Sequence, residues 1–406
     1  MQLAFIALGV LAIIPNVVST CIAMDASRIA RWQLAGASVR QSQGLYWSSL
    51  LVNALVSCIL GGIAAALLWP AYAAWALRVS FPDLEGMHGG IPGVALLVGI
   101  GVGFLIVTIA GFFGLHAISR IDVAVAVRES GLAHKTRHPV CIFLGVLIAA
   151  GVGAGYVGVS KQPTTISADT LNGLLAAYWG CALGLLIALA LCESIVVPFV
   201  VSLVSHIIPS RHGLGAFLAS QSARRHVGMS TAMVTPLCVA AGTVGAIMSM
   251  VAQIKNVAKA EGVPEEALQV TPAGQIVFEF LSPVILAAVA AYCVIVITGA
   301  QRRTDTALLM VAGVPRRSIV HSGLIEACIY SLASALLTYA ILWVNAVAMG
   351  HALGAGPVPG ADFAGVDPSG LYVIAAGFLL LAVLLMLSLA SQTMRDPLPI
   401  VRTSGR

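Results

Sequence analysis

The sequence predicts an all-α protein that crosses a membrane about nine times and carries its first three spans again near its end. Of its 406 residues, 59% are hydrophobic and only 9% are charged, and the mean hydropathy is +0.99. A soluble globular protein carries roughly 25% charged residues. A chain this apolar cannot hide its side chains in a core of its own, so the composition predicts a polytopic membrane protein.

Nine apolar runs are long enough to cross the hydrocarbon core of a bilayer, which takes about 20 residues of α-helix. No basic segment precedes the first run, so we expect a retained helix rather than a cleaved signal peptide. The segments between the runs are too short to hold a large extracellular domain. The predicted spans are 2–23, 44–69, 93–117, 139–159, 172–200, 230–252, 274–299, 319–349 and 370–391.

The basic residues predict the orientation. Of the 21 Lys and Arg residues, 17 fall in segments 24–43, 118–138, 201–229, 300–318 and 392–406, which all lie on one side of the predicted membrane. Because cytoplasmic loops are enriched in Lys and Arg, we expect a cytoplasmic C-terminus and an external N-terminus in the plasma (inner) membrane. The net charge of +5 then reflects contact with the lipid bilayer, and no nucleic-acid partner is expected.

A short segment between spans occurs twice. Ala35-Gly36-Ala37-Ser38 corresponds to Ala312-Gly313-Val314-Pro315 at an offset of 277 (312 − 35), and both are flanked by arginines. A second correspondence follows the third span of each copy, at an offset of 274 (396 − 122). There Asp122 and Arg128 match Asp396 and Arg402. Residues 1–130 and 274–406 are therefore predicted to be parallel copies.

These segments, with the basic stretch Leu218–Arg225 before the sixth span, resemble the FtsX-like permease family. Its members include the permeases of macrolide exporters and lipoprotein-release systems. The resemblance implies a first FtsX-like repeat over 1–130 that lacks its opening helix. Two connector helices over 131–210 and a second repeat over 211–406 would follow. A full-length relative would have ten spans rather than nine.

The resemblance also implies a function. Such a chain is the permease subunit of an ABC transporter and couples ATP hydrolysis by a separate cytoplasmic ATPase dimer to export of a hydrophobic or amphipathic substrate. ATP and magnesium would be bound by that partner, and a second permease copy or a paralogue could complete the transporter. The alternatives are an FtsX-type mechanical signal transmitter acting on extracellular partners, or a secondary transporter.

In this family the repeated basic loop is a short helix that docks on the ATPase. The alternative is that its arginines only follow the positive-inside rule. Carried over by position, the predicted coupling residues are Arg28, Arg31, Gly36, Arg40, Arg302, Arg303, Gly313, Arg316 and Arg317.

The chain itself carries no sign of catalysis. A phosphate-binding loop needs Gly-Lys-Ser/Thr, and none of the four lysines follows a glycine. There is no His-Glu-x-x-His or Cys-x-x-Cys motif, so no metal site, cofactor or catalytic residue is predicted.

Three acidic residues fall inside predicted spans, where a charge is costly and therefore a candidate for function. Glu326 lies about two turns into the eighth span and could pair with Arg302, Arg303, Arg316 or Arg317. Glu279 is expected near the outer surface. Glu193 is expected near the inner face, and no partner can be named from the sequence.

Overall fold

The structure is a computed structural model that describes residues 26–80, 93–115, 139–161, 168–207, 213–225, 227–260, 305–355 and 365–393, with a few single positions between them. These ranges form helices joined by short turns and contain no strand, which confirms the all-α prediction. The helices are α1 (Ala26–Leu34), α2 (Val39–Ser80), α3 (Gly93–Leu115), α4 (Pro139–Ser160), α5 (Ala168–Ile207), α6 (Leu214–Arg225), α7 (Val227–Ala260), α8 (Arg316–Ala355) and α9 (Ser369–Thr393).

Six of these helices, α2, α4, α5, α7, α8 and α9, are long and apolar enough to cross a membrane, and α3 holds the shorter apolar stretch Gly93–Ile109. These seven helices coincide with seven predicted spans. The two remaining spans, 2–23 and 274–299, lie almost entirely outside the described residues. The protein is therefore membrane-embedded, and the count of nine spans stays a prediction.

Aromatic side chains bracket the apolar part of α2. At one end the ring of Trp47 meets Phe112 edge-on, with centroids 5.8 Å apart. At the other end the rings of Trp69, Tyr72 and Trp75 contact one another in turn in tilted pairs, with centroids 6.1 and 6.0 Å apart. Trp47 and Trp69 are 22 residues apart (69 − 47), or roughly 33 Å along a helix. That length matches a hydrocarbon core, with the aromatic rings at its two interfaces.

The described helices fall into two compact units, and the first contains α1, α2 and α3. In this unit α2 and α3 pack antiparallel through glycines. A Cβ added at Gly62 would meet Ile100, and one added at Gly111 would meet Leu50. Small residues let membrane helices approach closely, so these glycines allow the hairpin.

The second unit contains α4 to α9. Helices α4 and α5 run antiparallel, with Gly145 against Cys192 and Gly155 against Cys181. Helix α5 is also antiparallel to α7, since Leu186 lies against Gly242 whereas Glu193, later in α5, meets Thr235, earlier in α7. The predicted connector helices α4 and α5 thus belong to the same compact unit as the helices of the predicted second repeat.

Helices α7 and α8 run parallel, as expected when one further span separates them in sequence. Cys238 Sγ of α7 donates to the Ser334 carbonyl of α8 over 3.6 Å, and further along both helices Gly245 lies against Leu342. Helix α9 then returns antiparallel to α8, with Gly323 against Leu389. These directions agree with the alternate crossings that the sequence predicts.

Helix α7 lies at the centre of the second unit. Every residue from 230 to 247 is buried, and α5, α8 and α9 all pack against it. Its sequence is rich in Ala, Gly, Ser and Thr, which allow neighbours to approach from every direction.

Candidate functional site

The first elbow (residues 35–38) is a tight turn between α1 and α2. The N–H groups of residues 35, 36 and 37 donate to the carbonyls of residues 31, 33 and 32 over 3.0, 3.0 and 2.9 Å. Gly36 has φ +96°, in the left-handed region that glycine adopts without strain. These features form a Schellman cap, which satisfies carbonyls that the helix end would otherwise leave unpaired.

The second elbow (residues 312–315) repeats this turn. The N–H groups of residues 312, 313 and 314 donate to the carbonyls of residues 308, 310 and 309 over 2.9, 3.0 and 3.0 Å, and Gly313 has φ +87°. The next helices begin at Val39 and Arg316, again at an offset of 277 (316 − 39). The match between the two segments therefore extends from sequence to backbone conformation.

The elbows differ in how the following helix begins. In the first, the Ser38 N–H donates to Gln41 Oε1 over 2.8 Å and the Gln41 N–H donates to Ser38 Oγ over 3.2 Å. This reciprocal pair is a capping box. In the second, Pro315 occupies the position of Ser38, and its carbonyl accepts from the Ser318 N–H over 2.9 Å. Each elbow thus fixes the start of its long helix by local constraints.

Both elbows present basic and apolar side chains outward. Leu34 and Val311, at equivalent positions, are 66% and 56% exposed. The backbone of Arg28 belongs to α1, but its side chain, like Arg302 and Arg303, lies outside the described residues. An exposed face of this composition suits either a protein partner or a lipid headgroup layer. The exposed arginines of the elbows are Arg31, Arg40, Arg316 and Arg317.

Buried contacts anchor the inner side of each elbow. Next to the first, Ile29 is fully buried and packs in a cluster with Tyr46 and Trp47. Next to the second, Thr306 is buried, and its hydroxyl donates to Gln392 Oε1 of α9 over 3.3 Å. Force applied to the exposed side of an elbow would therefore be passed to the helices beneath it.

The basic stretch before α7 forms a separate helix, α6, which the sequence treated as a lead-in to the sixth span. It packs along the first turns of α8, where a Cβ added at Gly215 would lie 3.2 Å from the Ser318 carbonyl oxygen. Arg224 is exposed and donates to His206 Nε2 over 3.1 Å, and His206 Nδ1 lies 2.7 Å from the Ser202 carbonyl. Helix α6 thus packs by its first turn against the start of α8, and its last turn presents Arg224 beside the end of α5.

A stripe of polar side chains runs up the inner face of α8. Its members, Glu326, Tyr330, Ser334 and Thr338, are spaced four residues apart and all are buried. The Tyr330 hydroxyl donates to Glu326 Oε1 over 2.6 Å, and Ser334 Oγ donates to the Tyr330 carbonyl over 2.9 Å. Residues four apart share one helix face, so the stripe forms a continuous polar track.

Two of the four arginines that the sequence suggested as ion-pair partners of Glu326 lie on the same helix, too far away to reach it. Arg316 and Arg317 lie ten and nine residues earlier, roughly 15 and 14 Å along the axis, and nine residues place Arg317 on the opposite face. Both arginines are exposed, whereas Glu326 is 2% exposed. The other two candidates, Arg302 and Arg303, lie outside the described residues.

Glu193 lies near the middle of the apolar part of α5, Ala177–Ile207, and is 8% exposed. The structure supplies the partner that the sequence could not name: Thr235 Oγ1 of α7 donates to Glu193 Oε2 over 2.8 Å. Pro198 lies five residues after Glu193 in α5, and Pro236 lies directly after Thr235 in α7. Because proline removes a backbone hydrogen bond, the pair joins two helices where each is weakened. Glu279 lies outside the described residues.

A second set of buried polar side chains lies in the second unit, toward the end that is remote from the second elbow. We call Tyr156, Tyr178, Ser249 and Asn345 the tyrosine–asparagine cluster. The Tyr156 hydroxyl donates to Asn345 Oδ1 over 2.7 Å, and Tyr178 lies close to Asn345 and Ser249. The sequence interpretation missed this cluster. Its one signal was a polar amide, Asn345, near the outer end of the predicted eighth span.

No family model, curated protein or solved structure matches the chain. Within the part of the chain that the structure describes, no three His, Cys, Asp or Glu side chains are grouped so as to hold a metal ion.

Proposed function

We propose that this chain is the permease subunit of an ABC transporter of the FtsX-like kind. The observation that carries the proposal is the pair of elbows. They share three backbone hydrogen bonds, a glycine in the left-handed region and exposed arginines. Each begins a helix of 40 residues or more: α2 has 42 and α8 has 40. A matched, exposed turn at the foot of two membrane-crossing helices is suited to receive movement from a soluble partner.

The elbows are built to transmit movement rather than absorb it. Each is closed by the cap of the preceding helix and by a restricted first turn of the next, so its angle resists bending. A partner that binds the exposed arginines would therefore tilt the long helix as a rigid rod. A separate ATPase dimer would supply ATP and magnesium, since the sequence contains no Gly-Lys-Ser/Thr loop.

The wider architecture belongs to the same proposal. We infer nine spans, two parallel repeats joined by α4 and α5, an external N-terminus and a cytoplasmic C-terminus in the plasma membrane. The matched elbows support the repeat, and the 17 basic residues on one predicted side support the orientation. The expected activity is export of a hydrophobic or amphipathic substrate.

One observation favours a second candidate, a secondary transporter. The buried Glu193–Thr235 pair places a carboxyl group midway along a membrane-spanning helix, where ion-coupled transporters carry such groups. The two candidates differ in energy source. Transport driven by ATP in vesicles without an ion gradient supports the ABC proposal, whereas transport that needs a proton or sodium gradient supports the second.

The direct test is purification of the tagged chain from the membranes of its own host, followed by labelling with photoreactive 8-azido-ATP. We expect a labelled subunit distinct from the chain to co-purify. The double variant Arg316→Glu/Arg317→Glu should lose that subunit while accumulating normally, because an exposed charge contributes at most about 1 kcal/mol to folding.

The matched control is Lys161→Glu/Lys255→Glu. It changes the net charge by the same amount, and both lysines are exposed on the predicted outer side. This control should retain the labelled subunit. Equal retention by both double variants, or labelling of the chain itself, would refute the proposal.

A further inference from the structure

Helix α2 carries a row of polar and small side chains along a face that no described helix covers. The row crosses the segment between the rings of Trp47 and Trp69, which lie at the two interfaces of the hydrocarbon core. A polar amide exposed to lipid at that depth is costly unless a neighbouring helix supplies hydrogen bonds. The members of this α2 row are spaced four residues apart and all are exposed: Ser49, Asn53, Ser57 and Gly61.

The α2 row is the counterpart of the buried polar stripe of α8. The offset of 277 that relates the two elbows also relates these residues (326 − 49). On α8 every member of the stripe is buried, and Cys238 of α7 donates to the Ser334 carbonyl over 3.6 Å. The same face is thus covered by a parallel helix on α8 and open on α2. The corresponding pairs are Ser49 and Glu326, Asn53 and Tyr330, Ser57 and Ser334, and Gly61 and Thr338.

The neighbouring row is covered in the same way on both helices. Leu50 of α2 lies against Gly111 of α3, and Gly323 of α8 lies against Leu389 of α9. The equivalent of Leu50 is Ala327, one turn after Gly323 (327 − 50 = 277). Helices α3 and α9 therefore pack on equivalent rows, and what α2 lacks is a counterpart of α7. Accordingly, only 11% of the residues in the apolar stretch of α2 are buried, against 50% in that of α8.

The α2 row favours a second copy of the chain as the helix that covers it. Two copies inserted in the same direction place their α2 helices parallel, as α7 is to α8. A two-fold axis along the membrane normal then brings each residue of the row close to its own copy. The amide of Asn53 and the hydroxyl of Ser57 both donate and accept, so the row is complementary to itself.

The geometry of the row suits close contact between two helices. Asn53 Nδ2 donates to the Ser49 carbonyl of its own helix over 2.8 Å, which holds the amide in place. Its exposed Oδ1 can then accept from a donor on a neighbouring helix. Ser57 and Gly61 form a pair of small residues four apart, which lets two membrane helices approach closely.

We propose that two copies of this chain associate in the membrane through their α2 rows. Helix α2 of each copy then takes the position against the other that α7 takes against α8. The observation that carries the proposal is a face that is buried by a parallel helix on α8 and exposed, with its polar residues, on α2. The proposal does not depend on how transport is powered.

The test is oxidative cross-linking of the full chain in membranes, with its eight native cysteines replaced. Ser57→Cys lies near the middle of the row, and a disulfide forms only when the two Cα atoms come within roughly 7 Å. We expect a covalent dimer. The control is Ile59→Cys, which lies at nearly the same depth and is 45% exposed, but about 160° away around the helix. It should remain monomeric.

Energy transfer between donor-labelled and acceptor-labelled chains in liposomes, at increasing lipid-to-protein ratio, measures the strength of association. Gly61→Leu should weaken association at least tenfold, because its side chain separates the two backbones. A Cβ at Gly61 would meet nothing within 4 Å, so the protomer accommodates the change. The control is Ala66→Leu, which adds bulk at an exposed position about 140° away. Asn53→Leu should weaken association about threefold to tenfold, the effect of losing hydrogen bonds between helices.

Equal cross-linking at positions 57 and 59 would reflect random collision, and absence of the dimer at position 57 would show no contact; either result overturns the proposal. So does wild-type association in both Gly61→Leu and Asn53→Leu. Labelling of Ser57→Cys by an impermeant maleimide would place the row in a water-filled path, and cross-linking to a different protein would identify another occupant. Both outcomes refute the association of two copies. Neither measurement uses an ATPase, so a failure here leaves the co-purification result intact.

Discussion

Gly313→Ala is the sharpest test of the elbows, because the backbone strain that it introduces can be separated from any change in side-chain packing. Gly313 has φ +87°, and a Cβ built there would meet nothing within 4 Å. The whole penalty therefore comes from placing an L-residue in the left-handed region, about 1–2 kcal/mol. A penalty of that size changes the equilibrium between the elbow with its helix cap formed and the elbow with that cap broken by about 5- to 30-fold.

Gly365 provides a matched control. It also has φ +87° and open space at the Cβ position, but it lies just before α9 and belongs to neither elbow. Gly365→Ala should therefore lose about as much stability as Gly313→Ala, without affecting the elbow. Gly313→Asn is the rescue variant, because asparagine adopts the left-handed conformation more readily than other side chains.

The assay is ATP turnover of the chain reconstituted with the ATPase subunit that the proposed function requires, with thermal unfolding measured in parallel. We expect Gly313→Ala to lower turnover several-fold, Gly365→Ala to leave it unchanged and Gly313→Asn to restore most of it. If the two alanine variants have equal turnover, or if Gly313→Asn is as impaired as Gly313→Ala, the conformation of the elbow does not control coupling.

Three further predictions concern the second unit. Thr235→Val removes a donor to the buried carboxyl of Glu193 and should cost about 1.5–3 kcal/mol, seen as a lower thermal unfolding midpoint; an unchanged midpoint would show that the bond contributes little. Gly370→Ala would place a Cβ 3.1 Å from a backbone carbonyl oxygen of α7, which cannot move aside, and should cost about 1–3 kcal/mol in the same assay. For orientation, single cysteines in place of Lys161 and Arg316, in a cysteine-free background, should react with an impermeant reagent from outside and from the cytoplasm, respectively. Labelling of both from one side would contradict the proposed topology.

The sequence was sufficient to place the spanning helices that the structure describes. Bilayer thickness dictates how long an apolar run must be, so the apolar runs located these seven helices to within about eight residues at each end of their apolar parts. They are α2, α3, α4, α5, α7, α8 and α9. The repeated Ala-Gly segments were also recognisable, because a left-handed cap leaves a glycine in the sequence. Residues 218–225 were recognised only as a basic stretch before the sixth span, and the sequence did not predict that they belong to a separate helix, α6.

Hydropathy did contain a signal for which helices are central. The apolar parts of α7 and α8, the two most buried, have a mean hydropathy of 1.8, against 2.1 to 2.8 for the other four spanning helices. Lipid contact demands apolar side chains on every exposed face, whereas contact with another helix tolerates Ser, Thr and Gly. Low hydropathy in a spanning helix therefore indicates a protein environment.

Only the tertiary structure decided which polar groups meet. Thr235 and Glu193 are 42 residues apart, and Tyr156 and Asn345 are 189 apart. No helical period links such positions, because contacts between helices depend on how each is rotated and how deeply it sits in the bundle. In a membrane that rotation is determined by close packing and hydrogen bonds rather than by an apolar stripe, since lipid and neighbouring helices are equally apolar. The minimum length of each spanning helix follows from the thickness of the bilayer, whereas the pairing of the helices follows from contacts that arise only on assembly.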